Sequence, residues 1–119
     1  MNSVQRKVMQ IAAYGFSSVF FLFAMVTAQA AGNVKAGHEK ARMCESCHGL
    51  DGQSKMPEAP NLAGQIESYL VTQLRAFKSG ERKNEQMLVI VQTLSPQDIE
   101  NIAAYYSAIE VKVGKLPGE

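Results

Sequence analysis

Cys44-Glu45-Ser46-Cys47-His48, followed directly by Gly49, is the stretch on which the reading of this chain turns. Two thiols three residues apart point to the same side of one helical turn, and the adjacent imidazole can approach whatever the sulfurs hold. This is the C-x-x-C-H pattern of c-type haem attachment. Both thiols add to the vinyl groups of one haem, and the histidine becomes an axial ligand of its iron. On this reading Cys44 and Cys47 carry the macrocycle and His48 binds the metal.

Other uses of the same residues fit less well. A redox dithiol normally sits beside a βαβ pattern, and none is visible. A structural zinc site needs four ligands, whereas the chain offers two cysteines and two histidines, with His38 ten residues before His48 and expected on the solvent side of a helix. A plain disulfide is common in exported proteins but leaves the adjacent histidine unexplained.

Residues 1–30 read as a signal peptide. Arg6 and Lys7 form a positive start, Ile11 to Val26 is an uncharged apolar run, and Ala28-Gln29-Ala30 supplies small residues for cleavage after Ala30. The run of 16 residues, interrupted by Gly15, Ser17 and Ser18, is short for a membrane span of about twenty. An uncleaved anchor is therefore the lesser alternative, and no stable membrane insertion is expected after cleavage. The remaining 89 residues, 31–119, make one small domain. Its core would be marginal if built from side chains alone, and a buried haem would supply its centre. Ten Lys and Arg against eleven Asp and Glu leave this part nearly neutral, without the basic surface of a nucleic-acid binder.

Beyond the pentad, the chain resembles a small class I cytochrome c from about Val34 to Ile109. It is most similar to one haem domain of the bacterial two-haem cytochromes c. The residues that carry the likeness are Cys44 to Gly49, Pro60-Asn61-Leu62-Ala63-Gly64-Gln65, Tyr69-Leu70, Gln73-Leu74, Phe77, Gly80, Arg82, Met87, Leu94-Ser95 and Ile102-Ala103-Ala104-Tyr105-Tyr106. The resemblance implies an all-α fold, helices and loops wrapped around one covalently bound haem c. It also implies that the Pro60 carbonyl accepts a hydrogen bond from the ring N–H of His48, fixing its tautomer. Leu62 would pack on the haem face. Maturation in the bacterial periplasm follows from the same likeness.

Local signals outline the elements. Val34 to Met43 reads as a helix entering the pentad, with Ala36, Gly37 and Ala41 small enough for the close crossing of first and last helices that the family shows. Gly49 to Gln65 reads as a loop. Ile66, Tyr69, Leu70, Gln73, Leu74 and Phe77 recur at helical spacing, ending at Gly80, and Tyr69, Leu70, Leu74 and Phe77 are pocket or core candidates. Ser95-Pro96-Gln97-Asp98 opens the last helix with an N-cap, a proline at the first position and an acid three residues on. Residues 111–119 read as an irregular tail.

Three methionines compete for the sixth ligand position. Met43 lies on the attachment edge, and Met56 sits in the loop that supports the histidine side. Met87, 39 residues after His48 and expected in the loop before the last helix, is the one that can reach the opposite face, and the family places its ligand there. Imidazole and thioether together raise the potential and fill both axial positions. These properties describe an exported single-electron carrier, not an enzyme, working with redox partner proteins of the periplasm. The alternative is the haem subunit of a periplasmic multi-protein oxidoreductase; a haem enzyme or gas sensor would need Met87 free of the iron. Lys55, Lys78, Arg82 and Lys83 are candidates to ring a docking edge, against the plainer reading of a solvated face.

Mass spectrometry of the mature protein is expected to find an N-terminus at Ala31 and one added haem that survives acidified acetone. Haem that extracts freely from the unaltered chain contradicts the attachment reading.

Overall fold

The computed structural model describes residues 31–118; the expected signal segment, residues 1–30, lies outside the described residues. Within them the chain forms five α-helices and no strand. Helix α1 is Val34–Lys40, continued by a 3-10 turn, Ala41–Cys44, into the four-residue α2, Glu45–His48. After a long loop come α3 (Glu67–Ser79), α4 (Glu85–Gln92) and α5 (Pro96–Ser107).

Three of the five helix starts carry a side-chain cap. The Asn33 side chain accepts from the Ala36 amide at 2.9 Å, and Asn84 does the same for Met87 at 2.9 Å. At α5 the expected capping box is complete: the Asp98 amide donates to the Ser95 hydroxyl at 3.1 Å, and the Ser95 amide donates back to the Asp98 carboxylate at 2.9 Å. Burial pushes the Asp98 carboxyl up, but the two Ser95 bonds and the Lys40 ammonium, 3.2 Å away, outweigh it and hold the group below the ordinary carboxylate range. Gly80 ends α3 in the left-handed conformation, φ 80°.

The core lies where α5 meets α1, α3 and the 3-10 turn. Ala41, Val91, Ala103 and Tyr106 are completely buried, with Leu70, Phe77, Leu94, Ile99 and Ile102 around them. Helices α1 and α5 pack with almost no gap. A Cβ on Gly37 would lie 1.9 Å from the carbonyl oxygen of Asn101, so this glycine is a contact surface and not merely a helix-start marker. The Asn33 amide donates to the Asn101 side chain at 2.8 Å across the same crossing.

Two tyrosines carry α5 to the pentad. The Tyr106 hydroxyl, fully buried, donates to the Gly49 carbonyl at 3.0 Å, and Tyr105 donates to the Leu50 carbonyl at 2.6 Å. Burial raises both phenols above their ordinary range, so both remain protonated donors at neutral pH. His38, expected toward solvent, instead sets its ring edge-on to Tyr105 with centroids 5.2 Å apart.

The apolar face read for α3 meets the rest of the polypeptide over part of its width. Leu70, Val71 and Phe77 are buried and Leu74 is half-buried, but Tyr69 is exposed (47%) and so is Ile66 (68%). Val71 takes the inward place because the face that meets α5 is centred one residue beyond Tyr69 and Leu70.

Gly37→Ala is expected to force α1 away from the Asn101 carbonyl and to cost about 3 kcal/mol or more, read as a lowered urea midpoint. Tyr106→Phe removes one of two bonds to the buried Gly49 carbonyl, which keeps the Gly52 amide at 3.1 Å, and should cost about 0.5–1.5 kcal/mol, with a smaller loss for the more accessible Tyr105→Phe. Equal midpoints for Tyr106→Phe and the parent chain would show that this bond contributes nothing.

Candidate functional site

The pentad is built on a change of helical pitch. The 3-10 turn ends at Cys44, and α2 starts at Glu45 and stops at Gly49, whose amide donates to the Glu45 carbonyl at 2.9 Å. Gly49 has φ 71°, and a Cβ there would lie 2.2 Å from the Asp51 carboxylate and 2.4 Å from the Gln53 carbonyl. Only glycine lets the chain turn away immediately after His48.

Both thiols are free and half-buried. Burial, with Cys47 alongside, pushes the Cys44 thiol up to about 11. A dithiol that worked by exchange would need a lowered value, so the microenvironment speaks against that chemistry. Among the described residues no three His, Cys, Asp or Glu side chains come together as a metal site, which removes the zinc reading.

His48 is buried, 8% exposed, and its Nδ1 lies 2.9 Å from the Pro60 carbonyl oxygen. A carbonyl only accepts, so Nδ1 carries the proton and Nε2 is left with its lone pair, the form in which imidazole binds a metal. The loop that delivers Pro60 folds on itself through main-chain bonds: Lys55 N to Cys47 O (2.8 Å), Leu62 N to Gly52 O (2.9 Å) and Gly64 N to Tyr106 O (2.9 Å). Ser54 N adds a bond to the Asn61 side chain at 2.7 Å. The proline is thus fixed against both the pentad and α5.

Met87 corrects the expectation of a loop position. It lies in the first turn of α4, because Asn84 caps a helix where the charged run 81–86 reads as irregular. Met87, Leu62, Leu74, Leu50 and Met43 are half-buried and pack on the core beside Cys44. Met56 stays in the Pro60 loop, hydrogen-bonded there to Ser54. The described donors are thus one imidazole with a free nitrogen, one thioether on a capped helix, two unpaired thiols and an apolar lining. These suit a flat apolar macrocycle that brings its own equatorial nitrogens. An open depression of about 630 Å³ bordered by Ile66, Val71, Arg75 and Glu100 shares no residue with this set and offers neither thiol nor imidazole.

The cations read as a docking ring are mostly engaged. Lys55 pairs with Asp51 at 2.9 Å, and Arg82 lies 4.5 Å over the Phe77 ring while donating to Gln73 at 2.7 Å. Lys78 turns to main-chain carbonyls of α4 and the residues after it. Sequence reasoning missed this, as it missed the bonds from Tyr105 and Tyr106; their sole linear signal is a polar group at the edge of an apolar helical face.

Comparison with known proteins agrees with the donor set. The Cytochrome c family model matches residues 34–108. The chain is 45% identical over 87 residues to cytochrome c4 of Pseudomonas aeruginosa, covering 73% of this chain and 43% of that protein. It is 45% identical over 83 residues to cytochrome c-554(548) of Halomonas halodenitrificans, covering 67% of this chain and all of that one. The crystal structure of reduced recombinant cytochrome c4 from Pseudomonas stutzeri superposes with a TM-score of 0.65 at 43% identity, over 71% of this chain and 49% of that one. The chain therefore spans about half the length of the cytochrome c4 relatives. Its cofactor is one covalently bound haem c. On the pentad, the buried imidazole and a family match that runs from the first helix through the last, the chain belongs to the cytochrome c family.

Proposed function

We propose that the chain is exported, cleaved after Ala30, and works in the periplasm as a single-electron carrier whose domain is residues 31–119. Cys44 and Cys47 hold the haem through thioether bonds, His48 Nε2 is one axial ligand, and the Met87 sulfur is the other. Pro60 and Leu62 support the histidine side. The haem supplies the iron that alternates between ferrous and ferric states.

The observation that carries this reading is the bond from His48 Nδ1 to the Pro60 carbonyl, 2.9 Å; a half-buried Met87 on a helix capped by Asn84 supports it. Pro60 accepts the Nδ1 proton in either oxidation state, so the imidazole keeps one orientation and one tautomer. Met87 holds a soft, neutral donor that favours the ferrous state more than a second imidazole does. His48 and Met87 together leave no axial position for a substrate, which supports a carrier over an enzyme. Among the described residues no helix is long and apolar enough to cross a membrane, in keeping with a protein that meets redox partner proteins by diffusion.

Visible spectroscopy of the holoprotein tests the ligand pair. The oxidised protein should be low-spin and show the weak far-red band of sulfur bound to ferric iron. Met87→Ala should abolish that band, open the position to carbon monoxide in the ferrous form and lower the potential. Met56→Ala should leave band and potential in place. A band that survives Met87→Ala and disappears with Met56→Ala reverses the assignment.

A further inference from the structure

The helix that carries Met87 has little core to hold it. Of its eight residues only Val91 is buried against the polypeptide itself, and Met87 and Ile90 are half-buried against it. A helix this short is not stable on its own propensity, so its position has to be fastened from outside. Asn84 caps its first turn but joins it to nothing beyond its own segment. At the other end the fastening is a lysine. Lys78, in the last turn of α3, directs its ammonium to the carbonyl oxygens of Val91 and Gln92, each at 3.3 Å, and to that of Leu94. The Gln92 side chain returns a bond to the Lys78 carbonyl at 3.2 Å.

The chemistry of this joint is specific. A helix C-terminus leaves its last carbonyls without partners and carries partial negative charge. Helices α3 and α4 end side by side, so two such ends converge. One ammonium with three donors meets the Val91 and Gln92 carbonyls of the α4 end, the first of which also accepts from the Leu94 amide at 3.1 Å, and the Leu94 carbonyl just beyond it.

We infer that Lys78 is a positioning residue for the axial thioether: it locks the C-terminal end of α4 to that of α3 and so fixes the helix whose first turn carries Met87. The inference rests on the proposal that Met87 binds the iron. A helix of eight residues is a rod of about 12 Å, and swinging one end displaces the other. Without the ammonium the Gln92 and Leu94 carbonyls turn to water, α4 is held to the fold through Val91, and the Met87 thioether is positioned less firmly. Lys78 is then a residue of the ligand scaffold and not of the docking surface.

The test compares imidazole binding to the oxidised holoprotein for Lys78→Met, Lys78→Arg, Gln92→Ala, Asn33→Ala and Met87→Ala, at neutral pH and far below the unfolding temperature. Only the neutral form of imidazole binds iron, so with the free-base concentration held equal across variants the loss of one positive charge does not by itself set its rate. Its entry waits on departure of the thioether. Lys78→Met, which keeps the length and loses the donors, should bind imidazole about tenfold faster or more. Lys78→Arg should return most of the way to the parent rate. Gln92→Ala, at an exposed site of the same joint, should bind about threefold faster, and it decides the matter if Lys78→Met yields no holoprotein. Asn33→Ala removes the cap of α1 and should lower the unfolding midpoint without altering the rate. Parent-like imidazole rates in Lys78→Met, or in Gln92→Ala where the former does not fold, overturn the inference. So does a rate in Asn33→Ala raised as much as in Lys78→Met, which would make the effect one of global stability. Met87→Ala separates the two levels: if it keeps the sulfur–iron band, the ligand assignment itself fails. If it loses the band while the Lys78 and Gln92 variants behave as the parent, only the positioning role fails.

Discussion

Much of this structure follows from having to bury one imidazole with a nitrogen left over. His48 is buried, and a buried imidazole must have its N–H satisfied. The Pro60 carbonyl does that at 2.9 Å. Proline lacks an N–H and has a fixed φ, so its carbonyl is presented without competition from a main-chain donor of its own. For this bond to exist the chain must turn back within twelve residues, which explains the glycine directly after His48 and the main-chain bonds that close the 49–65 loop. The loop is long but not loose. Its length is set by the distance from the histidine's own turn to its supporting carbonyl.

The rest of the fold holds that turn still. Helix α5 bonds the carbonyls of Gly49 and Leu50 through Tyr106 and Tyr105, and it is itself held against α1 at a crossing where Gly37 touches the Asn101 backbone. Any added atom at Gly37 would shift α5 and, through the tyrosines, the residues that follow His48. Packing density and ligand geometry are thus one problem here. Covalent haem attachment suits such a domain, because 89 residues bury a limited core and the macrocycle adds apolar surface that cannot dissociate.

The two axial sides are held by different means. On the histidine side, a loop, a proline and two tyrosines converge on a buried turn. On the methionine side, a short helix with one residue buried against the polypeptide is capped by Asn84 and tied to α3 by Lys78. A thioether binds ferric iron weakly, so its hold depends on the scaffold more than the imidazole's does. A polar tie at a helix end can set that position without the volume that further core packing would need.

What the sequence by itself determined was whatever is fixed by short spacing. The pentad, the capping box at Ser95 and Asp98, the Gly80 stop and the loop character of 49–65 each depend on residues within a few positions of one another, and each stands in the structure as read. Family likeness extended this to Pro60, whose carbonyl does meet His48. Tertiary structure alone decided the burial of Val71, the helical rather than loop setting of Met87, and the inward turn of Lys78. It alone joined Tyr105 to Leu50 and Tyr106 to Gly49, across 55 and 57 residues. The reason is physical. A local pattern fixes which residues share a face, but which face turns inward, and which carbonyl a long polar side chain finds there, depends on how helices distant in sequence come to rest against each other.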